Sequence, residues 1–365
     1  MRLYANAKLA VTVAVLMGGV GIVFLIEQGR KRDGVEGHAV MPVAARSSTS
    51  ADSDLNQLLA SLSPGQTTAH IAASLARMKA ALLAMPPDEA AAWISARLKE
   101  GKDVTTGLEF SLASDQNLKE WPSLRVFLLD VLYLVDPVAA AGAGREILTT
   151  PTSADEWALA MRNVARGSSA AEDAALLKKK CEELLHHAGW REHPSAGYLE
   201  AFDVIVHTRN VALSPQLLAL TADNDQMAVR HAAFLTLDRL VLADPVQMLP
   251  ALLAAAPPDS GLMISNMIAR ADVRDSAQRQ ALESWLRDEH RTAAELEAFA
   301  GVFPNANMMV SHNLLTPVVT MQGTDRAAKD RAALEVVNSW LNDPAFSRSR
   351  ELLRGTQARL TEFVK

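Results

Sequence analysis

At 365 residues, 49% of them hydrophobic but only 5% aromatic, the chain has material for one large or two ordinary domains. Its abundant alanine and leucine favour helices, because these side chains lose little freedom there, whereas strands want β-branched and aromatic residues. A formal net charge of -6 gives no electrostatic basis for binding nucleic acid, and the single Cys181 excludes an intramolecular disulfide and any multi-cysteine zinc or iron–sulfur site.

The first element in chain order is Leu9 to Ile26, LAVTVAVLMGGVGIVFLI, an uncharged run between Lys8 and the polar stretch that begins at Glu27. At 1.5 Å per residue it reaches roughly 27 Å, close to the hydrocarbon thickness of a bilayer. A cleaved signal peptide wants a shorter apolar region and a small-x-small site close behind it, and neither is present. Residues 1–28 therefore read as a transmembrane signal anchor, with the membrane as a partner through residues 9–26. Arg2 and Lys8 nearly balance Arg30, Lys31 and Arg32, and the short basic leader favours a cytoplasmic N-terminus. That reading makes this a single-pass membrane protein with its main domain on the extracytoplasmic, periplasmic side. Ala10, Ala14 and Gly18 recur every fourth position and offer a small-residue face for a homodimer through the anchor, although such residues are common in membrane helices anyway. Residues 29–53, rich in glycine and serine and free of aromatic residues, read as a flexible tether.

From Asp54 onward one amphipathic helical segment follows another, with no alternating strand pattern. Asp136-Pro137, Ser214-Pro215, Asp244-Pro245 and Asp343-Pro344 each offer a cap residue and then a proline suited to the first helical position. Ser153 with Glu156, and Thr292 with Glu295, match the capping box. In AGAGREI, Gly142 and Gly144 lie inside a helical pattern and read as close helix packing, not a phosphate loop. Cys181 sits in an ordinary charged helix, and Cys181, Glu182, His186, His187 and His193 do not share one helical face, so no metal site is read there.

Two stretches superpose, FLLDVLYLVDPVAAAGAGREIL and FLTLDRLVLADPVQMLPALLAA. Asp130, Leu132, Leu134, Asp136, Pro137 and Val138 fall on Asp238, Leu240, Leu242, Asp244, Pro245 and Val246, and Arg162 falls on Arg270 at the same offset of 108. That length holds about three helix-turn-helix units. Leading into the second copy, DNDQMAVRHAAFLTLDRL sets Val229, Arg230, Ala233 and Leu237 in the order V-R-x-x-A-x-x-x-L, beside His231. This pattern resembles the second helix of a HEAT repeat. The resemblance implies an all-α fold: after the transmembrane helix, a right-handed HEAT-like α-solenoid of helical hairpins over residues 54–365. It also implies a structural Arg230, paired in a ladder with an acid one to two turns earlier, a position held here by Asn224 between Asp223 and Asp225.

The segment GVFPNANMMVSHNLLTPVVTMQG interrupts the helical rhythm, and its Asn305, Asn307, Met308, Met309 and His312 form the candidate interaction surface. No phosphate-loop, dinucleotide, zinc-protease, nucleophile-elbow or cysteine-pair motif occurs in the chain. The expectation is a membrane-anchored scaffold that presents a surface to a protein partner, without cofactor or catalysis. The alternative is a helical enzyme or ligand binder whose polar residues converge only in three dimensions.

Overall fold

A computed structural model of the chain describes residues 48–364, apart from 63–64, 224, 256–259, 309–312 and 318–322. In chain order the helices are α1 (Ser48–Ala60), α2 (Thr68–Ala84), α3 (Pro87–Lys99), α4 (Leu124–Val135), α5 (Pro137–Ile147), α6 (Ala154–Gly167), α7 (Ala171–His186), α8 (Ala188–Glu192), α9 (Ala196–Glu200) and α10 (Asp203–His207). They continue with α11 (Ser214–Thr221), α12 (Met227–Ala243), α13 (Pro245–Ala255), α14 (Gly261–Ile268), α15 (Ser276–Arg287), α16 (Ala293–Val302), α17 (Gly323–Asn342) and α18 (Arg350–Phe363). The fold is all-helical save for one hairpin, β1 (Ser111–Leu112) antiparallel to β2 (Leu118–Glu120).

Most of the expected caps form, whereas Ser214 lies inside its helix and donates to Val211 O. Asp136 Oδ1 accepts the Val138 and Ala139 N–H groups at 2.9 and 3.0 Å, with Pro137 opening α5. Its counterpart Asp244 accepts the Gln247 N–H at 3.4 Å, and Pro245 opens α13. Thr292 and Glu295 complete a reciprocal capping box at α16. At α6 only half of the box forms: Ser153 accepts the Glu156 N–H, but the Glu156 carboxylate turns to Arg125 at 2.9 Å.

Helices pack mainly on their neighbours and next neighbours in sequence. One row runs from α2 through α4, α6 and the α9–α10 pair to α12, and α14, α16 and α18 continue the same alternation. The α5–α6 contact is the most intimate, because glycine stands where a methyl group has no room. A Cβ at Gly144 would lie 2.7 Å from the Ala160 carbonyl oxygen, and one at Gly167 would lie 2.1 Å from that of Pro137. Gly142, by contrast, faces open space. A single apolar core runs from Leu55 to Leu360.

Three expectations differ from the structure. Helix α1 begins at Ser48, inside the expected tether of 29–53, because Leu55, Leu58, Leu59 and Leu62 form an apolar stripe that packs into the core. The hairpin was invisible as alternation because its strands are two and three residues long. The third is a correction: among the described residues no helix is long and apolar enough to cross a membrane, which overturns the single-pass, extracytoplasmic placement. The apolar α4 has only 12 residues, and the 20-residue α17 carries Asp325, Arg326, Lys329, Asp330, Arg331 and Glu335. The stretch Leu9 to Ile26, with its Ala10, Ala14 and Gly18, lies outside the described residues.

Successive helices of the row are tied by buried ion pairs. The Arg162 and Asp130 side chains meet at 2.8 Å with both fully buried. Removing one partner of such a pair strands a charge in the core, at a cost of about 3–5 kcal/mol. Arg162→Ala is expected to lose stability on that scale in denaturant melts, whereas Arg230→Ala, at an exposed position, loses less than about 1 kcal/mol. Equal losses in the two variants would contradict this assignment.

Candidate functional site

The site grows out of a ladder of aspartates, each reached by an arginine from further along the chain. Asp130 on α4 accepts Arg162 of α6, 32 residues on. Asp203, which opens α10, accepts Arg239 Nη1 of α12 at 2.7 Å, 36 residues on. Asp238 on α12 is held by Arg270, just past α14, through both Nε and Nη2, again 32 residues on. Arg125 on α4 reverses the order by reaching Glu156 on α6.

A carboxylate has room for more donors than one arginine supplies. At Asp130 the remainder comes from the hairpin: the Leu118 N–H at 3.3 Å and the Trp121 indole N–H at 2.9 Å. At Asp203 it comes from a segment 113 residues distant. Asp203 Oδ2 accepts the Leu315 and Thr316 N–H groups at 2.6 and 2.8 Å. The Thr316 hydroxyl donates to Asp203 Oδ1 and accepts from Arg239. At Arg270 the neighbouring chain is Asn305, whose carbonyl oxygen lies 3.5 Å from Nη1 and whose own N–H donates to Ala269 O at 2.7 Å.

The two loops meet over Arg166. Its Nη2 donates to Gln116 Oε1 at 3.0 Å and to Leu314 O at 3.2 Å, while Gln116 Nε2 donates to Thr316 O at 2.8 Å across 200 residues of sequence. Asn313 closes the segment on itself through Thr316 O and gives its N–H to Glu200 at 3.2 Å. Residues 313–316 thus form a bend whose carbonyls are received by Arg166 and Gln116, whose N–H groups go to Asp203 and Glu200, and whose Leu314 and Leu315 are buried beneath. Gln116 adopts φ +66°, a left-handed conformation that costs a side-chain-bearing residue energy and here sits at a long-range contact. Beside Asn313 and Pro317 lies a cleft of about 560 Å³, lined also by Ser114, Asp115 and Glu200.

Burial sets the electrostatics. It pushes the Asp203 carboxyl above its ordinary value despite Arg239 and the Thr316 donors, and does the same to Asp238 despite Arg270. Arg166 is pulled below its ordinary value, first by burial and then by neighbouring Arg162. It forms no ion pair among the described residues and rests on neutral acceptors and the Tyr133 ring at 5.3 Å. His207, although on the exposed side of α10, is lowered by desolvation and Arg166 against the attraction of Asp203.

The residues read from sequence separate into three groups. Val229, Ala233 and Leu237 are fully buried on α12, Arg230 and His231 are exposed, and Arg239 of the same helix pairs with Asp203. Asp136, Pro137, Asp244 and Pro245 are helix starts. Of the candidate surface, Asn305 is buried and gives its amide to Asn266 O at 3.0 Å, Asn307 and Met308 are exposed, and Met309 and His312 lie outside the described residues. Cys181 is fully buried, with its thiol pushed up by burial, and His187 caps α8 and stacks on Trp190. No group of three or more metal-ligating side chains is assembled among the described residues. The candidate surface of Asn305 to His312 adjoins Asn313 to Thr316, which bond to Gln116, Arg166, Glu200 and Asp203, residues that carry no local sequence signal. No protein-family model, curated protein or solved structure matches the chain.

Thr316→Val keeps the side-chain volume but removes the hydroxyl between Asp203 and Arg239. The expected cost is about 1–3 kcal/mol, read as a lowered unfolding midpoint, because a buried acceptor loses its donor. An unchanged midpoint would mean that the segment contributes nothing to the fold.

Proposed function

We propose that this chain is a HEAT-like helical-repeat protein that holds a partner protein on the face formed by α4, α6, α10 and α12, and that it acts by binding and not by catalysis. The neighbour-on-neighbour helix packing and the recurring aspartate–arginine pairs support the repeat reading. One observation carries the functional reading: the main chain of Leu314 to Thr316 is received by side chains from the hairpin, α6 and α10, and the Thr316 hydroxyl by Arg239 of α12. Side chains arranged to bond a polypeptide backbone are the equipment of a protein-binding surface.

A second cleft, of about 390 Å³ between α3, α5 and the start of α6, offers less. Its Arg125 is already engaged by Glu156 and by Leu98 O at 2.7 Å.

Affinity capture from cells that produce the protein tests the proposal, comparing the parent with a Gln116→Ala/Arg166→Ala variant. A defined partner held by the parent and lost from the folded variant is the expected result. Partners retained equally by both would place the binding surface elsewhere, and turnover of a small substrate dependent on Asp203 or His207 would favour an enzyme.

A further inference from the structure

We propose that the cleft of about 390 Å³ between α3, α5 and the start of α6 is a binding site for a small organic monocarboxylate, with Arg125 receiving the carboxylate. It is a small-molecule site, apart from the face assigned to a partner protein, and it does not rest on the protein-binding reading.

Arg125 is only 7% exposed and lines the cleft. Its Nε donates to Glu156 and its Nη1 to Leu98 O, but Nη2 forms no hydrogen bond among the described residues. Donors of a nearly buried guanidinium thus stay open at the cleft, and a planar carboxylate is the acceptor that matches such a group.

The internal repeat shows that the fold does not require this charge. Asp130 and Arg162 recur 108 residues on as Asp238 and Arg270, but at the same offset Arg125 and Glu156 fall on Ala233 and Ile264, which are buried at 0% and 1% exposure. Apolar residues therefore serve the helices at both positions, and a buried ion pair is commonly no more stabilising than apolar side chains that fill its place. The packing of the first copy gives no reason for the pair; the cleft beside it does.

Gly142 points the same way. Glycine weakens a helix interior, yet Gly142 stands in the middle of α5, where a Cβ would have nothing within 4 Å. It lines the cleft, so a long side chain at this position would fill the space that glycine leaves open.

Charge and lining select the ligand. Arg125 and the exposed Lys99 are offset by Glu156 and the exposed Glu146, a balance that favours one negative charge over the higher charge of a phosphate. Leu98, Ala139, Ala143 and Ile147 give the rest of the molecule an apolar wall. The volume falls in the range of about 300–1,000 Å³ usual for small-molecule sites.

Ligand-observed NMR on the full chain tests the site, with butyrate, hexanoate and octanoate as probes and with hexanol and inorganic phosphate as controls. At least one carboxylate is expected to bind with a dissociation constant of about 1 mM or lower, the range open to ligands of so few atoms, and neither control to match it. Gly142→Leu, which fills the cleft with a better helix former, is expected to weaken binding at least about tenfold while its unfolding midpoint holds or rises. Arg125→Ala/Glu156→Ile, which gives these positions the residues of the second copy, is expected to fold and to lose the preference for hexanoate over hexanol. If that variant does not fold, Gly142→Leu decides alone. No carboxylate bound at about 10 mM, binding undiminished in Gly142→Leu, or hexanol or phosphate bound as tightly as the carboxylates would each overturn the proposal.

Discussion

The structure depends on the need to satisfy carboxylates that the helices have buried. Asp130 is wholly out of water, and in that setting its charge is tolerable only with an arginine and further donors around it. One arginine from the next helix of the row supplies the counter-charge and fixes the separation of the two helices. The remaining lone pairs attract main-chain N–H groups, and those come from loops. In this way a requirement of the core decides where the hairpin lies and, at Asp203, where residues 313–316 lie.

Seen from the sequence, the same constraint was half visible. The superposition at an offset of 108 matched Asp130 with Asp238 and Arg162 with Arg270, and these four residues form two equivalent buried pairs. Their persistence in both copies follows from the cost of losing either partner alone. What alignment could not supply was the pairing itself, because partners 32 residues apart share no local pattern. The Val-Arg motif drew attention to Arg230, which points away from the buried face that Val229, Ala233 and Leu237 occupy. Arg239 lies nine positions, two and a half helical turns, further along and on the face that meets α10.

Helix starts were the most legible features, since a cap acts within three or four residues and leaves a local signature. Asp136-Pro137 and Thr292 through Glu295 form as their spacing implies. Ser153 through Glu156 shows the limit of that logic. Glu156 has a competing claim from Arg125, and a buried charge-assisted bond outweighs a second cap contact on a helix that Ser153 already caps. Small residues were read correctly in kind but not in detail: of the two glycines in AGAGREI, Gly144 permits the close crossing of α5 and α6, and Gly142 does not take part.

Residues 313–316 meet the row at Asp203, and local helix geometry accounts for that position. Elsewhere the row is built from helices of eight residues or more, whose side chains and backbone close the face, but here α9 and α10 span five residues each. Asp203 stands at the start of α10, where one carboxylate oxygen meets the Leu315 and Thr316 N–H groups while the other still meets Arg239. Breaking one helix into two short ones thus leaves a buried carboxylate with acceptor capacity beyond its own helix. At Asp130, inside the unbroken α4, the equivalent acceptor is covered by the adjoining hairpin, only 12 residues earlier in the chain. The acceptor at Asp203 has no such neighbour close in sequence, and so it is met by a segment from the far end of the fold. A contact across 112 residues has to be closed by tertiary packing, and Leu314 and Leu315, which sit in the core beside it, supply that packing.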